Sequence, residues 1–206
     1  AMIFVMVVVG GVTRLTQSGL SIAEWKPVVG AVPPLSEKAW QEEFAIYRRT
    51  PEYLKVNAGM DLSGFQRIYF MEWAHRLWGR LIFFAALLPL IYFRMRRRIP
   101  PGYGWALAAV PVGVALNGAL GWLMVASGLV DIPRVSAYRL SAHLGLATLI
   151  YGYVLWLALR LRWPGTRSGH GPYRLGWVVV TLTFITLLAG GFVAGTRAGL
   201  SYNTWP

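Results

Sequence analysis

Residues 65–93 read FQRIYFMEWAHRLWGRLIFFAALLPLIYF. From Leu81 to Phe93 no charge interrupts the run, whereas the part before it carries Glu72, His75, Arg76 and Arg80. A helix needs about 20 mainly apolar residues to cross the hydrocarbon core, so this stretch predicts a membrane span from about Phe65 to Phe93 with ionisable groups in one half. Working outward, three more runs qualify: Tyr103 to Val125, Val135 to Leu159 and Leu175 to Gly195. Ala1 to Val12 is apolar throughout but short, about 18 Å at ~1.5 Å per residue. The expectation is a chain that begins inside its first helix. A signal peptide would need a basic leading segment and a small-residue cleavage site, and neither is present.

Composition agrees with the membrane reading. Of 206 residues 56% are hydrophobic and 14% charged, with a mean hydropathy of +0.49; an ordinary soluble domain carries roughly 25% charged residues. The net charge of +12 sits in segments between apolar runs, the pattern of a membrane protein and not of a nucleic-acid binder. No nucleic-acid partner is expected. Cysteine is absent, which excludes disulfides, zinc ribbons, iron–sulfur clusters and thiolate catalysis.

The loop after Phe93 holds Arg94, Arg96, Arg97 and Arg98, and the one after Leu159 holds Arg160, Arg162, Arg167 and Arg174, with no acid in either. The positive-inside rule places 94–102 and 160–174 in the cytoplasm. The long first loop, about 14–64, and the 128–134 link are then outside, periplasmic in a multi-pass protein of the bacterial inner membrane. In the long loop Trp40, Phe44 and Tyr47 fall at i, i+4, i+7, one aromatic face of a short helix ended by Pro51. That helix either lies on the membrane surface or caps the bundle.

The two ends of the chain repeat. Gly10-Gly11 matches Gly190-Gly191, Thr16 matches Thr196, Gly19-Leu20-Ser21 matches Gly199-Leu200-Ser201, and Trp25 matches Trp205, all at one offset without a gap. An even number of helices between the copies makes them parallel. The expected fold is an all-α integral membrane protein: a four-helix transmembrane bundle (1–162) plus the first helix of a second, parallel-repeated bundle (175–206) whose remainder is missing.

Charge inside a span is costly, so such residues are functional candidates. Glu72 and His75 share a helix face, continued by Arg76 and Arg80. His75 and His143 lie at nearly the same depth below the outer ends of their two helices. Two imidazoles at equal depth in a bundle suit a bis-His haem. Gly79 and Gly145 are candidates for close approach of the macrocycle, or else helix-packing positions. Arg76, Arg80, Arg134 and Arg139 are candidate charge or propionate partners, the outer pair alternatively interface anchors. Glu72 either pairs with Arg76 at i+4 or serves protons and developing charge beside a bound haem. His170, in the basic loop, reads as a solvated residue.

These residues resemble a known family. Tyr47-Arg48-Arg49-Thr50-Pro51-Glu52-Tyr53, then Phe65 and Glu72-Trp73-Ala74-His75-Arg76-Leu77-Trp78-Gly79-Arg80, look like haem A synthase. Gly10 to Thr16, Gly19-Leu20-Ser21-Ile22 and Trp25-Lys26-Pro27 are similar to that family's first outer loop, and Ser141-Ala142-His143-Leu144 to its fourth-helix ligand motif. The resemblance implies eight helices in two four-helix bundles and oxidation of the C8 methyl of haem O to a formyl group, giving haem A for terminal oxidases. It makes His75 and His143 the axial ligands of substrate haem O, Glu72 the catalytic carboxylate, and haem b a cofactor whose ligands lie beyond Pro206. It suggests a haem O-making farnesyltransferase as a partner, besides membrane lipid and an electron donor that no residue identifies. Lacking cysteine, the chain would fall in the cysteine-free class of the family. Two rival readings stand beside it: a bis-His b-type electron carrier, which calls for a second His pair at another depth, and a transporter, which predicts no haem absorbance.

Overall fold

The computed structural model describes residues 1–163 and 173–201. Its elements are helices: α1 (Met2–Leu15), α2 (Glu37–Tyr47), α3 (Pro51–Lys55), α4 (Leu62–Met95), α5 (Gly104–Ser127), α6 (Ala137–Arg162) and α7 (Tyr173–Thr196), with short 3₁₀ turns at Val29–Ala31 and Ala198–Leu200. Helices α4 to α7 are each long and apolar enough to cross a membrane, and α1 is a shorter apolar helix. The protein is thus a multi-pass, all-α membrane protein.

Side chains set where the helices start. Asp61 accepts from the Gly64 amide (2.8 Å) ahead of α4, Ser36 from Ala39 ahead of α2, and Ser136 from Arg139 ahead of α6, satisfying donors that the first turn leaves open. Pro51 does not end α2, which stops at Tyr47; it occupies the first turn of α3, with Thr50 as the cap. Proline is suited to that position because its missing N–H would have no partner there. Arg94, Arg160 and Arg162 lie in the last turns of α4 and α6, complementing the negative end of each helix dipole.

Successive long helices pack as neighbours: α1 on α4, α4 on α5, α5 on α6 and α6 on α7. On α1 and α4 the register is antiparallel, since Gly10 faces His75 and Met6 faces Gly79. The α6–α7 seam is built from small residues. A Cβ on Gly195 would stand 2.6 Å from Ala137 Cα, and one on Gly191 2.8 Å from Ser141 Oγ. The four-residue spacing of Ala137, Ser141 and Gly145 against that of Gly191 and Gly195 lets the two backbones approach closely.

At ~1.5 Å per residue, the 34 residues of α4 span about 50 Å, against a hydrocarbon core of about 30 Å. Its first turns therefore project beyond the membrane, and a cap forms on them. Trp40, Phe44 and Tyr47 of α2 are buried against Phe65 and Tyr69 of α4, with Ile22 completing the cluster. Phe65 stacks on Phe44 (ring centroids 5.1 Å) and on Tyr47 (5.0 Å). The aromatic face of α2 thus caps the bundle.

The end-to-end repeat is also a repeat of backbone geometry. Gln17 and Arg197 both adopt left-handed φ, 52° and 57°. Thr16 Oγ1 donates to the carbonyls of Val12 and Thr13, and Thr196 Oγ1 to those of Phe192 and Val193. The two copies touch at equivalent positions, Arg14 Nη2 donating to Ala194 O at 2.5 Å. Their surroundings differ: Leu20 is 6% exposed and Leu200 78%. Trp205 lies outside the described residues.

Two predictions concern the cap. Phe65 is fully buried, so Phe65→Ala should cost about 3–5 kcal/mol, read as a lowered unfolding temperature in detergent. Glu52 is 5% exposed and accepts one long bond from Tyr47 Oη, 3.3 Å. Burial, with the nearby Glu72 charge adding to it, pushes its carboxyl up to about 7 from the ordinary 4.5, against the opposing Tyr47 hydrogen bond and Arg197 charge. The folded chain then holds a proton that the unfolded chain releases, so stability falls as pH rises from about 4.5 to about 7 and levels off above. Thermal unfolding at pH 5 and pH 8 should show the loss, and Glu52→Gln should abolish it.

Candidate functional site

Glu72 is two turns below Phe65 on the same face of α4 and only 2% exposed. Its Oε2 accepts from Ser21 Oγ and from the Ile22 amide, both at 2.8 Å. Its Oε1 accepts from Arg76 Nη2 (2.7 Å) and Nε (3.1 Å). Four donors match the roughly four lone-pair sites of a carboxylate, so both oxygens are engaged. Arg76 reaches on to the carbonyls of Ile22 (2.8 Å) and Glu24 (3.1 Å), and Ser21 also donates to Ile68 O. The pair Glu72–Arg76 therefore zips the segment 21–24 onto α4.

One turn further, Arg80 donates to Lys26 O and Pro27 O, both at 2.8 Å. Side chains on a helix lean toward its N-terminus, which on α4 is the cap end, so both guanidiniums point back to this segment. Arg80 Nη1 is buried and has no hydrogen-bond partner among the described residues. Gly30 packs tightly here: a Cβ would come within 3.2 Å of Arg80 Nη2 and 3.1 Å of Lys26 Cβ. Lys26 in turn pairs with Glu24 and Glu43, tying the segment to α2. Trp122 of α5 stacks on Trp25 (5.9 Å, 14° between planes) and lies 5.6 Å from the Arg76 guanidinium.

His75 lies three residues after Glu72 on α4, within electrostatic reach of His143 and Arg76. Each imidazole sits against a glycine on a neighbouring helix: a Cβ on Gly10 would be 3.3 Å from His75 Nε2, and one on Gly121 2.9 Å from His143 Cε1. His143 Nδ1 is 3.0 Å from Asn117 O. A carbonyl only accepts, so Nδ1 carries the proton and the Nε2 lone pair is left for a metal. Among the described residues no group of three or more His, Cys, Asp or Glu converges; a metal bound by these imidazoles needs equatorial ligands of its own, which an iron porphyrin supplies. Two imidazoles are a donor set of the kind such a group takes.

The other sequence candidates fall as follows. Gly145 does not line the imidazole region: its face meets Leu188 of α7, where a Cβ would stand 2.8 Å from Cδ2. Gly79 faces Met6 of α1 at 3.3 Å. Each thus meets a side chain of a neighbouring helix, in keeping with the helix-packing alternative that the sequence left open. Arg139 is exposed and donates to Leu123 O at 2.6 Å, capping the carbonyl end of α5. Arg134 is exposed in the link between α5 and α6. His170 lies outside the described residues. Sequence reading missed Ser21, the Ile22 amide, Gly10, Gly121 and Asn117; the repeated Gly-Leu-Ser triplet was the one signal pointing to Ser21.

The chain matches, over residues 1–206, the family described as COX15-CtaA, cytochrome oxidase assembly protein. Curated relatives named heme A synthase include those of Parvibaculum lavamentivorans (52% identical over 207 residues), Nitrosospira multiformis (52% over 211) and Rhodospirillum centenum (48% over 208). Each alignment covers all of this chain but only 60%, 59% and 56% of the respective relative. No solved structure matches significantly. A match along its whole length, joined to relatives at about half identity, makes this chain a member of the COX15-CtaA cytochrome oxidase assembly family.

Proposed function

We propose that this chain is the substrate-haem half of a haem A synthase, which oxidises the C8 methyl of haem O to a formyl group. The carrying observation is His143 with its Nδ1 on Asn117 O, which leaves Nε2 free to bind a metal, together with Glu72 one turn before His75 on α4. The names of the relatives support the same reading. In it the two imidazoles take the axial positions of the substrate haem, and Glu72 borders the reacting edge. In this reading the methyl passes through the alcohol and the gem-diol to the aldehyde, a four-electron oxidation whose oxygen atom and electron acceptor must come from outside this chain.

The division of labour follows from the chain's residues. Ser21, the Ile22 amide and Arg76 fix the Glu72 carboxylate. Arg80, with one donor open inside the bundle, is the best placed of the four arginines for a haem propionate; Arg76 is engaged by Glu72, Arg139 by α5, and Arg134 is exposed. Haem b, a cofactor supplying electron transfer when bound, belongs to the part of the full-length protein corresponding to the relatives' remaining length, together with a second bundle beginning at α7. The arginine-rich ends at 94–102 and 160–174 face the cytoplasm of a bacterial inner membrane, and the capped end faces the periplasm. A haem O-making farnesyltransferase is the natural partner, since it supplies the substrate. The presence of Glu72 beside the imidazoles favours this over a plain electron carrier.

In the full-length protein Glu72→Gln should still bind haem but accumulate haem O or its alcohol, measured by pigment extraction and mass spectrometry. A wild-type yield of haem A from this variant would refute the role. His75→Ala and His143→Ala should each abolish the low-spin spectrum of the substrate haem; an unchanged spectrum from either would remove that residue from the ligand set.

A further inference from the structure

The outer segment descends along α4 before it climbs to α2. Ser21 donates to Ile68 O and to Glu72, the Ile22 and Glu24 carbonyls accept from Arg76, and the Lys26 and Pro27 carbonyls accept from Arg80. Each step along the segment thus meets a later turn of α4. Gly30 still borders Arg80, yet ten residues on Trp40 packs on Tyr69 (5.0 Å), about three turns back toward the start of that helix. The chain between them dips and returns. Two helices give the depth of the dip. Arg80 lies 14 residues before Arg94, the first of the basic cluster at the far end of α4, or about 21 Å. A full turn of backward reach by its side chain puts its contacts about 26 Å from that end, inside a hydrocarbon core of about 30 Å. On α5, Trp122, which stacks on Trp25, is 18 residues after Gly104, about 27 Å along the helix. The residues after Trp25 continue inward from that level.

Residues 27–35 read PVVGAVPPL, without one charged or hydrogen-bonding side chain. Val28 (81%), Val29 (78%), Val32 (58%) and Leu35 (84%) are bare. Single exposed valines are ordinary on a protein surface, but a charge-free run of them at hydrocarbon depth is not. The backbone is provided for separately. Pro27, Pro33 and Pro34 have no amide N–H. The amides of Gly30, Ala31 and Val32 donate to the carbonyls of Lys26, Val28 and Val29, and Arg80 donates to those of Lys26 and Pro27. Irregular backbone is tolerated at membrane depth only when its polar groups are satisfied within the protein. We infer that residues 27–35 form a re-entrant segment, which presents Val28, Val29, Val32 and Leu35 to the acyl chains of the leaflet at the capped end. Arg80 holds the backbone of this segment against α4, and the side chains on its other face meet lipid. Acyl chains are the occupant because the depth is theirs and because the run offers no polar side chain for the rim of a protein interface.

The test places a nitroxide spin label at Val29→Cys or Val32→Cys in the full-length protein, with no other cysteine present, reconstituted in a phospholipid bilayer. Collisions with oxygen, which concentrates among acyl chains, are compared with collisions with a water-soluble nickel chelate. Leu54→Cys, at an exposed position of α3 in the cap, is the aqueous reference. The oxygen-to-nickel ratio at 29 and at 32 should exceed that at 54 several-fold. A ratio equal to that at 54 would place the segment in water and overturn the inference. Labels that collide with neither probe would overturn it as well, because the surface would then be covered by protein, whether the remainder of the full-length chain or a separate partner. Val28→Cys and Leu35→Cys repeat the measurement where a label at 29 or 32 disturbs folding, and the same outcomes decide.

Discussion

The carboxylate of Glu72 organises the capped end of this molecule. A buried ion loses its hydration, and only close partners restore the balance. Here the partners come from two places, Arg76 on the same helix and the Ser21–Ile22 backbone and hydroxyl on the outer segment. Because the donors on the segment are as close as the guanidinium, the segment is not free to lie elsewhere. Its position carries Leu20 against Gly128, where a Cβ would meet Leu20 Cδ2 at 2.8 Å, and brings Trp25 onto Trp122. One ion pair in α4 thereby joins α1's loop, α4 and the α5–α6 link around the imidazoles.

Duplication accounts for the same region a second time. Thr16 and Thr196 close their helices with matching hydrogen bonds, and the next residue turns left-handed in both. A non-glycine residue at positive φ is uncommon, so its recurrence at equivalent places ties the sequence repeat to a repeated chain path. The first copy is buried by its contacts with α4 and the α5–α6 link, and Leu200 of the second is bare. The burial of the loop is therefore a property of what packs on it and not of the Gly-Leu-Ser sequence.

The spans, the cap and the ionisable face of α4 were legible because each depends on local pattern. Hydropathy gives the long helices, i, i+4, i+7 spacing gives the aromatic face of α2, and equal depth singles out His75 and His143. What was not legible depends on which helix neighbours which. Periodicity assigns Gly145 to a face but does not say that Leu188 fills it. For the same reason Gly121, which does border an imidazole, carried no distinguishing mark, and Gly10 was marked only by the repeat. The expectation that Pro51 ends α2 failed at shorter range: proline blocks continuation of a helix but also suits the opening of the next.

Two buried carboxyl groups show how environment divides labour within one fold. Glu52 has a single hydrogen bond of 3.3 Å and little else to hold a charge, so it exchanges a proton near neutrality. Glu72 has four donors between 2.7 and 3.1 Å. Two of those donors belong to the outer segment and two to its own helix. Breaking the helix pair would leave a guanidinium without its counter-charge, and losing the segment would strip that guanidinium of the Ile22 and Glu24 carbonyls as well.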